Sequence, residues 1–124
     1  MVFAFGQKYL VQGTVLTGLS IVKAVRERFD GYRRNPWDEY ECGHHYSGTM
    51  SSWSLLPALS GYTCNLPKKT MRFAPVINED AFSCFWSNGK AWGTYAQTRD
   101  PASGKMNAKT DVLYGDLEGI QVSP

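Results

Sequence analysis

At 124 residues, 43% hydrophobic and 19% charged, the chain has the composition of one modest globular unit or a piece of a larger one, which excludes disorder and a string of domains. Thirteen Lys and Arg against eleven Asp and Glu leave a net charge of +2, too small a surplus for binding nucleic acid through its phosphates. No run approaches the ~20 apolar residues of a membrane span, and the opening MVFAFGQKYLVQG lacks the cationic start and small-residue cleavage site of a signal peptide.

From Phe3 to Gln12 the pattern is apolar and compatible with a helix, but it starts at Met1 with no cap or polar lead-in, as though the element had been cut from a longer one. We place a break at Gly13. A second helix is predicted from about Thr14, with Val15, Leu19 and Val22 on one face, Lys23, Arg26 and Glu27 turned away, and Asp30-Gly31 as its stop. Gly18 sits awkwardly inside it, at a cost of about 1 kcal/mol against Ala. Residues 31–42, GYRRNPWDEYEC, combine Gly, an Asn-Pro turn signal and dense charge, and read as a loop.

A third helix is predicted from about His44 to Leu59, with Tyr46, Met50, Trp53 and Leu56 forming its apolar face, Pro57 kinking it and Ser60-Gly61 ending it. After Asn65 the period falls to two: Met71, Phe73 and Pro75 alternate with Arg72 and Ala74. Residues 82–86 and 91–96 then flank Ser87-Asn88-Gly89-Lys90 as a hairpin. DPASGKMNAKTD, residues 100–111, reads as polar turn, and VLYGDLEGIQV as one further strand. Two or three apolar helix faces do not close a core against one hairpin, so a fragment is expected.

The chemistry is concentrated in the loop. Asp38, Glu39 and Glu41 lie beside Arg33, Arg34, Trp37 and Tyr40, a mixture of acceptors, donors and flat faces that suits a pyranose, although a solvated, salt-bridged loop has the same composition. His44 and His45 follow Cys42 closely, but adjacent positions at a helix start point about 100° apart, and no zinc spacing is present, so no metal is expected. Cys42, Cys64 and Cys84 are too few and odd in number for a disulfide framework; they read as small core residues and favour a reducing, cytoplasmic setting. The aromatic content of 14% suits either a packed core or a stacking surface. For Trp53, Trp86 and Trp92 the core is the expectation. No phosphate-binding Gly-rich loop or GxSxG elbow occurs.

Residues 18–62, GLSIVKAVRERFDGYRRNPWDEYECGHHYSGTMSSWSLLPALSGY, resemble the closing segment of the catalytic domain of glycoside hydrolase family 116, the family of non-lysosomal glucosylceramidases and bacterial β-glucosidases and β-xylosidases. RFAPVINEDAFSCFWSNGKAWGTYAQ, residues 72–97, is similar to the strand-rich segment that follows. The resemblance implies a mainly α fold: the C-terminal fragment of an (α/α)6 toroid, two to three helices over residues 1–62 followed by a hairpin or small antiparallel strands over 63–124. It implies a retaining β-glycosidase whose nucleophile and acid/base lie N-terminal to this segment, acting without a cofactor or metal on a β-linked glucoside, a glycolipid included. Glu39 matches the glutamate that binds glucose hydroxyls. Glu41 and His45 follow as rim residues, and Asn35 and Trp37 as loop-shaping ones.

One position departs from the family pattern. The arginine expected nine residues after the sugar-binding glutamate is Gly48 here. Loss of a charge-assisted hydrogen bond to substrate costs roughly 1.5–3 kcal/mol, about ten- to a hundredfold in binding the transition state. The expected function is therefore the sugar-binding C-terminal segment of a β-glycosidase, inactive by itself. The alternatives are a non-catalytic carbohydrate-binding or pseudoenzyme fragment, favoured by Gly48, and a purely structural interaction domain.

Overall fold

The computed structural model describes residues 14–33 and 46–124; the helix expected over 3–12 and the break at Gly13 lie outside the described residues. The chain divides into two compact units, Met1–Ala58 and Leu59–Pro124.

In the first unit, helix α1 runs Val15–Arg28. Thr14 precedes it without a side-chain cap, and its carbonyl accepts the Gly18 amide at 3.0 Å. Val15, Leu19 and Val22 are half-buried while Lys23 and Arg26 are exposed, so the apolar face is the one the spacing predicts. Gly18 is the helix's one buried residue. Lys23 and Glu27 pair across one turn at 3.5 Å, and Arg26 and Arg28 place positive charge in the last turn, where the helix dipole favours it.

The single helix predicted over 44–59 is instead two short ones, α2 at Tyr46–Ser52 and α3 at Leu55–Ser60. Serine hydroxyls explain the break. Ser52 Oγ donates to the Thr49 carbonyl and Ser54 Oγ to the Ser51 carbonyl, both at 2.6 Å, and such local bonds compete with the helical ladder. Pro57 kinks nothing: it occupies the first turn of α3, where its missing N–H has no helical partner to lose. The stripe predicted to be a packed face is exposed, with Tyr46 at 63%, Met50 at 56%, Trp53 at 74% and Leu56 at 40% of their full accessibility.

The second unit is built from six strands. β1 (Thr63–Asn65), β2 (Thr70–Arg72) and β6 (Gln121–Ser123) form one small sheet in the order β1-β2-β6, with β2 and β6 parallel. β3 (Ala81–Ser87), β4 (Trp92–Arg99) and β5 (Met106–Tyr114) form an antiparallel meander. The β3–β4 hairpin is the one its turn residues predict. Asn88 Oδ1 accepts the amides of Lys90 and Ala91 at 2.9 and 2.8 Å, and Gly89 takes φ +86°. Met71, Phe73 and Pro75 are all buried as their alternation predicts. Met71, Phe73, Trp86, Ala91 and Tyr95 make the core, and Phe73 and Tyr95 stack at 3.8 Å between centroids and 6° between planes.

Gly61 ends α3 with φ +59°, and a Cβ there would collide with the Ala74 carbonyl. The close approach is held by the amides of Ala74 and Val76, which donate to the carbonyls of Ser60 and Leu59 at 2.9 and 3.0 Å.

The described residues are thus mixed, 27% helix and 34% strand, and not the mainly α toroid segment implied by the resemblance. The difference comes from the second half. The polar turn predicted over 100–111 is in fact a short turn followed by β5, the longest strand, and the tail supplies β6 as well. β5 escapes a pattern reading because every residue but Met106 and Thr110 is exposed, so its two faces carry no apolar-polar contrast.

Candidate functional site

The predicted sugar-binding residues Asn35, Trp37, Glu39, Glu41 and His45 lie outside the described residues, as do Arg34, Asp38, Tyr40, Cys42 and His44. The structure describes what leads into and out of that segment. α1 ends at Arg28, and Asp30 Oδ1 then accepts the amides of Tyr32 at 2.9 Å and Arg33 at 3.2 Å. The Tyr32 amide bond, more than any other contact, holds the Asp30 carboxyl below its ordinary range, with the Arg33 amide and charge adding to it. This Asx turn and Gly31 at φ +88° stop the helix where Asp30-Gly31 predicts. On the far side α2 begins at Tyr46 and carries Gly48, half-buried, where the family pattern has arginine.

The three tryptophans expected in the core separate. Trp86 is buried, with its indole N–H unpartnered. Trp53 is exposed on α2's C-terminal side and Trp92 is 41% exposed, so the core expectation fails for both. Trp92 belongs to a row of rings: its centroid lies 6.1 Å from Phe85 and 6.1 Å from Tyr114, with planes 39° and 18° apart. Phe85 and Tyr114 were not singled out by the sequence. Tyr114 reaches Trp92 because of a bulge: Trp92 pairs with Tyr114 but Gly93 with Val112, so Leu113 is the extra residue. A one-residue insertion reverses which face the next side chain takes. No short-range signal carries that information.

The cysteines also differ from expectation, since Cys64 is exposed and only Cys84 is partly buried. Burial pushes the Cys84 thiol up, and pushes the Tyr62 hydroxyl up further, with Cys64 and Cys84 adding to the effect on Tyr62. Tyr62 donates to the Ser87 carbonyl at 2.8 Å and lies 3.6 Å from Met71 Sδ. These contacts tie the chain after α3 to the hairpin and the core; none presents a reactive group.

Two hollows remain. An open groove of about 330 Å³ is lined by Phe73, Pro75, Glu79, Gln97 and Met106 among others. The Gln97 amide is engaged, accepting from the Tyr95 hydroxyl at 2.8 Å and donating to the Glu79 carbonyl at 2.6 Å. Glu79 is the one acidic side chain among the groove's lining residues, whereas retaining glycoside hydrolysis needs two carboxyl groups about 5–5.5 Å apart. A smaller cavity of about 50 Å³ has Asp116 and Glu118 in its wall, but Glu118 is paired with Lys90 at 3.1 Å and Asp116 accepts the Glu118 amide at 2.7 Å. Its volume admits water beside the unpartnered Asn88 Nδ2, not a sugar. Among the described residues no group of three or more His, Cys, Asp and Glu is placed to hold a metal, and no helix is long and apolar enough to cross a membrane. No protein-family model matches the chain, and no curated protein matches it either.

Proposed function

We propose that the chain supplies the sugar-positioning turn of a retaining β-glycosidase, with Glu39 as the residue that holds the glucose hydroxyls. The observation that carries this role is the segment RNPWDEYECGHHY at residues 34–46, placed between the Asx-turn end of α1 and the start of α2. A carboxylate accepts two hydroxyl hydrogen bonds at once, which orients a sugar ring for attack. Nucleophile and acid/base come from the more N-terminal part of such an enzyme. Substrates of this kind are β-linked glucosides, glycolipids included, and no cofactor takes part.

Gly48 favours a second role, a carbohydrate-binding segment without catalysis. The helix position that would carry a guanidinium has no side chain at all, and the charge-assisted bond it would give is lost.

Calorimetric titration with glucose tests both. Saturable binding that Glu39→Gln abolishes and Gly48→Arg strengthens about tenfold or more is the expected result, together with no release of the aglycone from an aryl β-glucoside. Binding indifferent to Glu39→Gln contradicts the sugar-positioning role. Turnover by the chain that disappears in Glu39→Gln contradicts the division of labour.

A further inference from the structure

The meander turns one face of β4 inward and the other outward. Gly93, Tyr95 and Gln97 are buried, whereas Trp92, Thr94, Ala96 and Thr98 are exposed. On the outward side the register sets Phe85 opposite Thr94, Trp92 opposite Tyr114 and Thr94 opposite Asp111. Three aromatic rings therefore form a line across all three strands at one end of the face, and Phe85 and Tyr114 keep 48% and 65% of their accessibility. The bulge at Leu113 is what turns Tyr114 to this side. Without it the row would stop at two rings.

We propose that this outer face binds a neutral oligosaccharide, stacking successive sugar rings on Phe85, Trp92 and Tyr114. The two equal steps of 6.1 Å between centroids suit a linear ligand with a flat repeating unit. The apolar side of an equatorially substituted pyranose presents C–H groups of slight positive charge, and the face of an aromatic ring is negative. Around the rings, Thr94, Ser87 and Asp111 offer acceptors and donors for the hydroxyls at the sugar's edge.

Charge and area argue against other occupants. Lys109 and Asp111, two residues apart on the outward side of β5, pair at 2.8 Å, so the face presents no net charge to a phosphate backbone, which single-stranded nucleic acid binding requires. Three rings of ~150–250 Å² each, about half exposed, offer on the order of 300 Å². A second protein copy needs ~800 Å² per partner for a stable interface. A patch of this size on a small protein falls in the range that is often functional.

This site is independent of the acidic turn, and the test separates them. Affinity electrophoresis through a neutral soluble β-glucan and calorimetry with cellotetraose are run on the wild-type chain and five variants. Retardation by the glucan is expected, with Trp92→Ala and Tyr114→Ala each weakening cellotetraose binding about tenfold, Trp92→Phe keeping most of it, and Glu39→Gln and Trp53→Ala leaving the remaining platform binding in place. Near-UV dichroism confirms that the variants stay folded, and Tyr114, the most exposed ring, provides the variant least able to disturb the core. Loss of all binding in Glu39→Gln with none in Trp92→Ala overturns this proposal while sustaining the sugar-positioning turn. Tighter binding of a single-stranded oligonucleotide, or a dimer in sedimentation that Trp92→Ala dissociates, overturns it as well.

Discussion

Residues 46–56 and residues 71–95 both space large apolar side chains regularly, and the two regions use them in opposite ways. Tyr46, Met50 and Trp53 stay more than half exposed on short helices, whereas Met71, Phe73, Trp86 and Tyr95 are exposed by 1% or less. Period identifies the type of element, but burial needs a partner surface. The strands bring theirs with them, because the turn at Asn88-Gly89 folds β3 onto β4 and the β2–β6 pairing closes a second sheet over the same cluster. A helix carries no such instruction for its neighbour. The stability of the described chain is therefore expected to reside in residues 59–124, with the helical stretch contributing little.

Substitutions can break or sharpen that contrast. Phe73→Ala removes a fully buried ring that stacks on Tyr95 and is expected to cost about 3–5 kcal/mol in urea unfolding followed by near-UV dichroism. Gly61→Ala forces a left-handed residue against the Ala74 carbonyl; roughly 2–4 kcal/mol is expected, from backbone strain and the displacement of the segment 73–76. Tyr95→Phe leaves Gln97 Oε1 without the buried hydroxyl that donates to it and should cost about 1–3 kcal/mol.

Alkaline titration reads the same core. Burial raises the pKa of Tyr62, Tyr95 and Cys84 above their ordinary values of 10.0, 10.0 and 9.0. The folded state thus holds protons that the unfolded state releases. Their contribution is fully present below pH ~9 and is lost as the pH rises through the folded-state values. Tyrosinate absorbance from Tyr62 and Tyr95 should appear only together with unfolding. Ionisation of Tyr62 and Tyr95 near pH 10 in a chain that keeps its near-UV signal contradicts the buried placement. At the small end, Trp53→Ala is expected to change stability by no more than about 0.5 kcal/mol. A loss comparable to that of Phe73→Ala shows that the helical stripe is packed after all.

Much of the fold is legible where local chemistry decides it. α1 follows from the spacing of Val15, Leu19 and Val22 and stops at Asp30-Gly31; the β3–β4 hairpin follows from Ser87-Asn88-Gly89-Lys90 and the alternation on either side. Other features depend on competition or on distant partners. Two serine hydroxyls, those of Ser52 and Ser54, compete with the helical ladder near Trp53, a choice invisible in the apolar spacing. β5 is exposed on both sides of its pleat and shows no alternation, and β6 is placed by a parallel pairing with β2, about fifty residues earlier. Tyr114 joins Trp92 through a bulge that no local residue announces. The sugar-site residues Asn35, Trp37, Glu39, Glu41 and His45 were proposed from a motif and lie outside the described residues, while the mainly α fold that the resemblance implies is not the mixed one that the described residues adopt.

An amide-resolved NMR titration with glucose tests the central claim most directly, because it reads residues 34–45 themselves. The account predicts saturable shifts concentrated at Trp37 through His45 and absent in Glu39→Gln. Shifts confined to other residues, or a segment 34–45 silent at every glucose concentration, contradict it.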